Sequence, residues 1–310
     1  MHGIALGALP LPARRRADRA ESPAMPLHFD FTGGALPAGA GFARSSPALG
    51  PGLVAVAADT PRLYPGAGLL LEGAATNLLP HSRDIAAGAW FGLNVACTGG
   101  MAGAPDGSAD GFRLDFAGGG AARWLHPLTA PGGEITLSAW MWSPDGLPGR
   151  LAMVVDGAIM APSPTMLGPQ PVRLTLTLDP PAGAALQLGF LAGQAGSFGV
   201  FAWLPQLEAG VRATSAVASD GVPATRAADS LVLAVPPGAY AVTVLRGDGG
   251  SSVVDPLAGI TGADGAIAVP ADPLHPFVAA VTATPWPDAP ARKRRAADRS
   301  IRRPKESHDY

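Results

Sequence analysis

Glu134-Ile135-Thr136-Leu137-Ser138-Ala139-Trp140-Met141-Trp142 is the stretch on which the fold turns. Side chains alternate across an extended strand, so Ile135, Leu137, Ala139 and Met141 share one face while Thr136, Ser138, Trp140 and Trp142 share the other. One face is wholly apolar and the other mixed, which is the signature of a half-buried strand. The same alternation runs through residues 172–179 and 185–190, and residues 111–116, 150–155 and 197–204 are further strand candidates. Turns such as Pro144-Asp145-Gly146 and Asp179-Pro180-Pro181 separate them. The pattern predicts an all-β chain built on an antiparallel β-sandwich or jelly roll.

Composition agrees. The 310 residues include 41 Gly and 33 Pro, too many for long helices and well suited to short strands joined by tight turns. With 47% hydrophobic residues the chain has enough apolar surface for a real core. Disordered chains of similar Gly and Pro content lack such alternating aliphatic runs.

Before the sandwich strands, residues 1–25 read as a disordered arm and residues 26–67 as an extended lead-in of short apolar pieces cut by Gly and Pro, either edge strands or an extended wrap. Residues 68–232 form the predicted β-sandwich module. Four more strand-like runs follow, at 231–235, 240–245, 266–269 and 277–282, and residues 233–288 read as a small C-terminal β unit. Residues 289–310 are a charged tail poor in apolar residues, expected to be disordered.

Charge is strongly divided. Residues 20–290 carry 10 Arg, no Lys and 20 acidic residues, whereas residues 1–19 carry a net +3 and residues 291–310 a net +5. An acidic body argues against nucleic-acid binding by the folded region, because phosphate contact needs clustered cations. The run Arg292-Lys293-Arg294-Arg295 reads as a solvated, non-specific tail, the alternative being a binder of nucleic acid or of an acidic partner surface. A P-loop is excluded because the two lysines, Lys293 and Lys305, both sit in that tail.

The lone Cys97 excludes an internal disulfide framework and any paired-cysteine metal or redox site, in keeping with a reducing cytoplasm. The apolar patch at 4–11 precedes its basic cluster Arg14-Arg15-Arg16, the reverse of a secretory signal, and no stretch reaches the roughly 18 apolar residues of a membrane span. The six histidines are scattered, with no paired metal-ligand spacing, and there is no nucleophile-elbow motif. The expectation is therefore no catalytic residue, no metal and no cofactor.

Two further stretches bracket the sandwich strands: Gly68-Leu69-Leu70-Leu71-Glu72-Gly73-Ala74-Ala75-Thr76-Asn77-Leu78-Leu79 and Gln206-Leu207-Glu208-Ala209-Gly210-Val211-Arg212-Ala213-Thr214-Ser215. With Trp90, Pro105-Asp106-Gly107-Ser108-Ala109-Asp110-Gly111 and Thr225-Arg226-Ala227-Ala228-Asp229, in this order, the chain resembles phage tail-fibre and head-spike-type structural proteins. The upstream Thr60-Pro61-Arg62-Leu63-Tyr64 is similar to that family's lead-in. The resemblance covers residues 40–232. It departs at Ala75, where the family usually has Arg, and at 216–220, which lacks the usual Tyr-Ile-Pro. It implies a carbohydrate-binding-module-like or concanavalin A-like β-sandwich with a structural or receptor-facing role in a virion, in homo-oligomeric form and in contact with other virion proteins.

Candidate sites follow from the residues themselves. Trp140 and Trp142 place two aromatic plates on a partly polar strand face, an arrangement suited to stacking against sugar C–H patches. The other reading of that face is structural, with the lead-in or a neighbouring subunit covering it. Trp203 with Phe201 is a similar pair, read as core or subunit contact. Glu72 and Glu208 sit in apolar runs at the two ends of the module and need partners there. As structural carboxylates they accept backbone N–H bonds or pair with Arg44, Arg62, Arg212 or Arg226, or else share a calcium ion, although no calcium-loop pattern supplies further ligands.

The functional expectation is a non-enzymatic structural component of a phage, prophage or gene-transfer particle, head spike or tail fibre, whose sandwich binds host cell-surface polysaccharide. Its expected place is the virion, or the cytoplasm before assembly. Two alternatives stand beside it: a polysaccharide-degrading enzyme or its carbohydrate-binding module, and a scaffold protein without glycan affinity.

Overall fold

The structure is a computed structural model and describes residues 25–50, 53–118, 121–247, 252–257, 261–262 and 265–285. Apart from Met25, the arm at 1–25 and the basic tail at 289–310 lie outside the described residues. The described elements are all strands, and every pairing among them is antiparallel.

Two five-stranded sheets form the main sandwich. One runs in the order Val172–Leu178, Ile135–Trp142, Phe198–Ala209, Gly111–Phe116, Val95–Met101; the other in the order Ala158–Met160, Leu151–Val155, Ala185–Leu191, Arg123–Thr129, Phe91–Leu93. The apolar face of the Ile135–Trp142 strand supplies Ile135, Leu137, Ala139 and Met141 to the core between them, against Leu114, Leu151, Met153, Leu188 and Phe190. The sheet-on-sheet arrangement and the two-residue alternation are those of an antiparallel β-sandwich.

A second, smaller sandwich is assembled from both ends of the described chain. Phe277–Pro285 pairs with Gly238–Gly247 on one side and with both Leu27–Asp30 and Gly68–Leu70 on the other. A three-stranded sheet of Ala40–Ala43, Ser230–Ala234 and Ala266–Val269 packs over it, and Phe29, Phe31, Leu69, Leu231, Leu233, Val244 and Val281 fill the space between. The expected division into a lead-in at 26–67, a module at 68–232 and a separate unit at 233–288 therefore does not follow the sheets. The lead-in is not an extended wrap. It contributes strands to the C-terminal unit, because the short apolar pieces Leu27–Asp30 and Ala40–Ala43 find their hydrogen-bonding edges on Phe277–Pro285 and Ser230–Ala234, late in the chain.

The stretch 68–79 is thus the crossing point between the two sandwiches. Gly68–Leu70 belongs to the smaller one, with Gly68 at φ 106° and its α-carbon so close to Val278 that a β-carbon would lie 2.2 Å from that carbonyl oxygen. Only glycine meets both demands. Seven residues on, Ala75–Asn77 pairs with Ala224–Arg226, and the Leu78 N–H donates to the Leu207 carbonyl at 2.7 Å, which puts the chain into the main sandwich. Asn77 secures the join. Its buried Oδ1 accepts from the N–H groups of Leu79 and Leu207, and its Nδ2 donates to the Val217 carbonyl.

Candidate functional site

The second face of the Ile135–Trp142 strand is aromatic, and its geometry is set by a bulge. Thr136 lies opposite Glu208 and Ser138 opposite Gln206, but Trp140 lies opposite Trp203, so the Phe198–Ala209 strand holds one extra residue in this interval. Leu204 absorbs it at φ 46°, a left-handed conformation uncommon for a branched side chain. The insertion reverses the alternation. Val200, Ala202 and Leu207 face the core, while Phe201 and Trp203 share the opposite face with Gln206 and Glu208.

Two cross-strand rows result. Arg173, Trp140 and Trp203 are successive partners across three strands, with the Arg173 guanidinium 5.9 Å from the Trp140 ring centre. Trp142, Phe201 and Arg113 form the next row, with the first two rings stacked at 5.4 Å. Their fates differ. Trp140 is half-buried and lines a cleft, whereas Trp142 is 4% exposed and packed beneath the turn that carries Gly103 and Gly111. The expectation of two accessible plates is corrected for Trp142, which the 101–111 turn covers. Trp203 is also buried, at 6%.

The cleft at Trp140 has a volume of about 600 Å³ and lies between the two sandwiches. Trp140, Arg173 and the segment 208–216 line it from the main sandwich, and Tyr64, Asp272 and Phe277 from the smaller one. Tyr64 is set edge-on to Phe277 at 5.3 Å, and burial pushes its hydroxyl pKa up, so it stays a neutral hydrogen-bonding group. Arg173 donates to the Ser138 hydroxyl at 2.9 Å and to the Thr214 carbonyl. Burial lowers its pKa, offset in part by Glu208 and Glu72, and an arginine remains charged even so.

Glu72 stands at the back of this cleft in a buried ionic cluster. Arg62 Nη2 lies 2.7 Å from Glu72 Oε2 and 3.2 Å from Asp229 Oδ2, while Arg226 approaches Glu72 and Asp229 at 3.4 Å each. The Ser215 N–H donates to Glu72 Oε1 at 2.7 Å, and the Ser215 hydroxyl joins both Glu72 and Arg62. Burial pushes the Glu72 pKa up, but Arg62, Arg226 and Ser215 outweigh it and hold the group below the usual carboxylate range. Arg44 makes no bond to Glu72 and instead donates to the carbonyls of Ser46 and Ala57.

Glu208 has a different role. Its carboxylate accepts from the Thr214 N–H at 2.9 Å and the Thr214 hydroxyl at 2.6 Å, which folds the 209–215 turn back over the strand. Gln206 continues this, accepting from the Val217 N–H at 2.7 Å. Both glutamates thus act on the loop that forms one wall of the cleft. Among the described residues no group of three or more His, Cys, Asp or Glu side chains is placed to hold a metal ion.

Sequence reasoning singled out Trp140, Glu72 and Glu208, and the structure brings all three to one cleft. It missed Arg173, Tyr64, Ser215 and Asp229. Arg173 had a readable signal, since it faces the same side of its strand as the polar residues next to Trp140. Tyr64 and Asp229 had none, because their place depends on how the two sandwiches meet.

No protein-family model matches the chain, and no curated protein matches it. Likenesses among solved structures include the following three. A CBM22-1 xylan-binding domain from Paenibacillus barcinonensis is 16% identical, with 46% of this chain and 99% of that domain covered at a TM-score of 0.34. The tandem CBM22 domains of the same protein are 15% identical, with 70% and 92% covered and a TM-score of 0.34. The enzymatically active domain of a tailspike protein from bacteriophage CBA120 is 18% identical over 42% of this chain, at a TM-score of 0.29, and the chain spans 21% of that structure.

Proposed function

We propose that this chain is a non-enzymatic structural component of a phage-type particle that binds cell-surface polysaccharide in the cleft between its two sandwiches. The observation that carries the binding is Trp140, a half-buried indole in a cleft of about 600 Å³ whose other groups are Arg173, Tyr64 and the Thr214 backbone. An aromatic face with hydrogen-bonding groups around it is the arrangement that sugar rings require, because their C–H patches stack while their hydroxyls are held from the side.

Absence of catalysis is supported by how the carboxylates are used. Glycoside hydrolysis needs an acid and a second carboxylate free to act on the bond, about 5–9.5 Å apart. Glu72 is tied to two arginines and Ser215, and Glu208 to Thr214, so both are spent on structure. The particle role is supported by the ordered motifs at 68–79, 105–111, 206–215 and 225–229. Repeated copies in a homo-oligomer suit a shallow site, since multivalency multiplies weak contacts.

The test is binding of the recombinant chain to envelope polysaccharides, with reducing ends assayed in parallel. Binding without chain cleavage, lost in Trp140→Ala, is the expected outcome. Release of reducing ends overturns the non-enzymatic assignment, and binding unchanged in Trp140→Ala removes the site.

A further inference from the structure

We infer that the ligand is an extended, uncharged polysaccharide that fills two adjoining hollows at once, crossing the ridge made by Leu49 and Ala216. The inference rests on the glycan reading above and adds the length and charge class of the ligand.

A second hollow of about 650 Å³ lies beyond that ridge. Leu49 and Ala216 line both hollows. Trp203 and Leu204 line the second one, with Arg83, Asp106, Asp110 and Ser46 among its polar groups. Trp140 and Trp203 are direct cross-strand partners, so the two hollows share one continuous floor of sheet. It is the bulge at Leu204 that turns Trp203 to this side. Each hollow alone is of the size that takes one small ligand, about 300–1,000 Å³, and two side by side call for a ligand with a repeating unit.

Buried polar atoms without a partner gather here. Trp140 Nε1, Arg173 Nε and Arg62 Nε belong to residues lining the first hollow, and Ser46 Oγ and Arg226 Nε to residues lining the second. Buried polar groups are normally satisfied, so these atoms mark places where the packing around both hollows leaves hydrogen-bonding capacity unmet.

Charge decides the class of polymer. Arg62, Arg173 and Arg212 in the first hollow are matched by Glu72, Glu208 and Asp272, and Arg83 and Arg226 in the second by Asp106 and Asp110. Each hollow is therefore electrically balanced. A polyanion would meet carboxylates wherever it met arginines, whereas alternating donors and acceptors suit the hydroxyls of a neutral chain. At the rim of the second hollow Arg83 and Asp110 are 3.8 Å apart and more than half exposed, a loose pair whose donor and acceptor both remain open to a hydroxyl.

The experiment is calorimetric titration of the full chain with cello- and xylo-oligosaccharides of two to eight units, alongside oligogalacturonates of the same lengths. Affinity is expected to rise about tenfold or more between lengths that fill one hollow and lengths that bridge both, then level off. Ala216→Trp, which raises the ridge, is expected to abolish the length dependence, and the surface change Arg83→Ala to weaken the longest oligomers roughly threefold to tenfold. Affinity independent of length, or oligogalacturonates bound as tightly as the neutral chains, overturns the inference while leaving the glycan site standing. If no oligomer of any kind binds, the glycan reading falls and this inference with it.

Discussion

Glu72 and Asp229, 157 residues apart in sequence, hold each other through a reciprocal pair of bonds: the Glu72 N–H donates to the Asp229 carboxylate at 3.0 Å, and the Asp229 N–H donates to the Glu72 carbonyl at 2.8 Å. Arg62 then bridges the two carboxylates. The entrance to the main sandwich and its exit are thereby one structural object, and the cleft opens beside it.

Removing the Glu72 charge leaves two buried arginines, Arg62 and Arg226, sharing the one carboxylate of Asp229. Glu72→Gln is expected to cost about 3–5 kcal/mol, the usual penalty for breaking a buried ion pair on one side. Urea unfolding near neutral pH measures it; a loss below about 1 kcal/mol would show that the cluster does not fasten the junction.

Asp229 behaves differently from its partner. Burial and the neighbouring Glu72 raise its pKa, and its bond from the Glu72 N–H together with Arg62 and Arg226 offsets them only in part. A carboxyl raised in the folded state contributes stability below its unfolded pKa that is lost as pH rises through the folded value, whereas the lowered Glu72 contributes stability above its unfolded pKa that is lost as pH falls. Asp229→Asn is therefore expected to cost less at neutral pH than Glu72→Gln, and Glu72→Gln to flatten the acid limb of the stability profile. Equal costs, or an unchanged acid limb, would contradict this ordering.

His126 provides a second, milder pH dependence. It is 4% exposed, its ring is edge-on to Trp90 at 5.3 Å, and burial, with a further contribution from His81, holds its pKa below the usual histidine value. The folded state resists protonation there, so stability is expected to decline as pH falls below about 6.5 and through the lower folded value. His126→Leu should remove that slope, read from unfolding midpoints across this range.

The two tryptophans of one strand face are expected to separate stability from binding. Trp142→Ala, which empties a site packed against Phe201 and the 101–111 turn, should cost about 3–5 kcal/mol. Trp140→Ala should cost clearly less and abolish glycan binding. Thermal melts paired with titration distinguish them, and a Trp140→Ala protein as unstable as Trp142→Ala would assign Trp140 to the core.

Cys97 is half-buried in an edge strand, and burial with the nearby Asp84 pushes its thiol up to about 12. The thiolate is the reactive form, so alkylation by iodoacetamide near pH 8 should be slow in the folded chain and fast in denaturant. Rapid labelling of the native protein would place the thiol in a more open setting.

Much of the main sandwich was legible because its strands carry their partnership in their own alternation. Ile135–Trp142, Val172–Leu178 and Gly111–Phe116 read correctly for that reason, as did the division of Ile135 and Leu137 from Trp140 and Trp142 onto opposite faces. Arg123–Thr129 was hidden by Pro127, which looks like a strand breaker yet sits in register with Gln187. The partners of the lead-in strands were illegible for a different cause, since pieces of four residues carry too little pattern to specify which distant edge they join. Within the site, the cover over Trp142 comes from a glycine turn whose approach no local pattern encodes, and the bulge at Leu204 reverses the facing that simple alternation assigns to Trp203.

The placement of Phe277–Pro285 between Gly238–Gly247 and the paired Leu27–Asp30 has a bearing on how the chain is made. Leu27 is among the first described residues to leave the ribosome, and its partner Ala283 among the last. At roughly 5–20 residues per second, on the order of ten to fifty seconds of synthesis separate the two. Once Phe198–Ala209 has been made the main sandwich has all its strands and is able to close, while Leu27–Asp30 and Gly68–Leu70 still wait for Phe277–Pro285. The order of assembly is thus written into the topology: larger sandwich first, smaller one last, and with it the inter-sandwich cleft, so that a nascent chain acquires its cleft only as Phe277–Pro285 arrives.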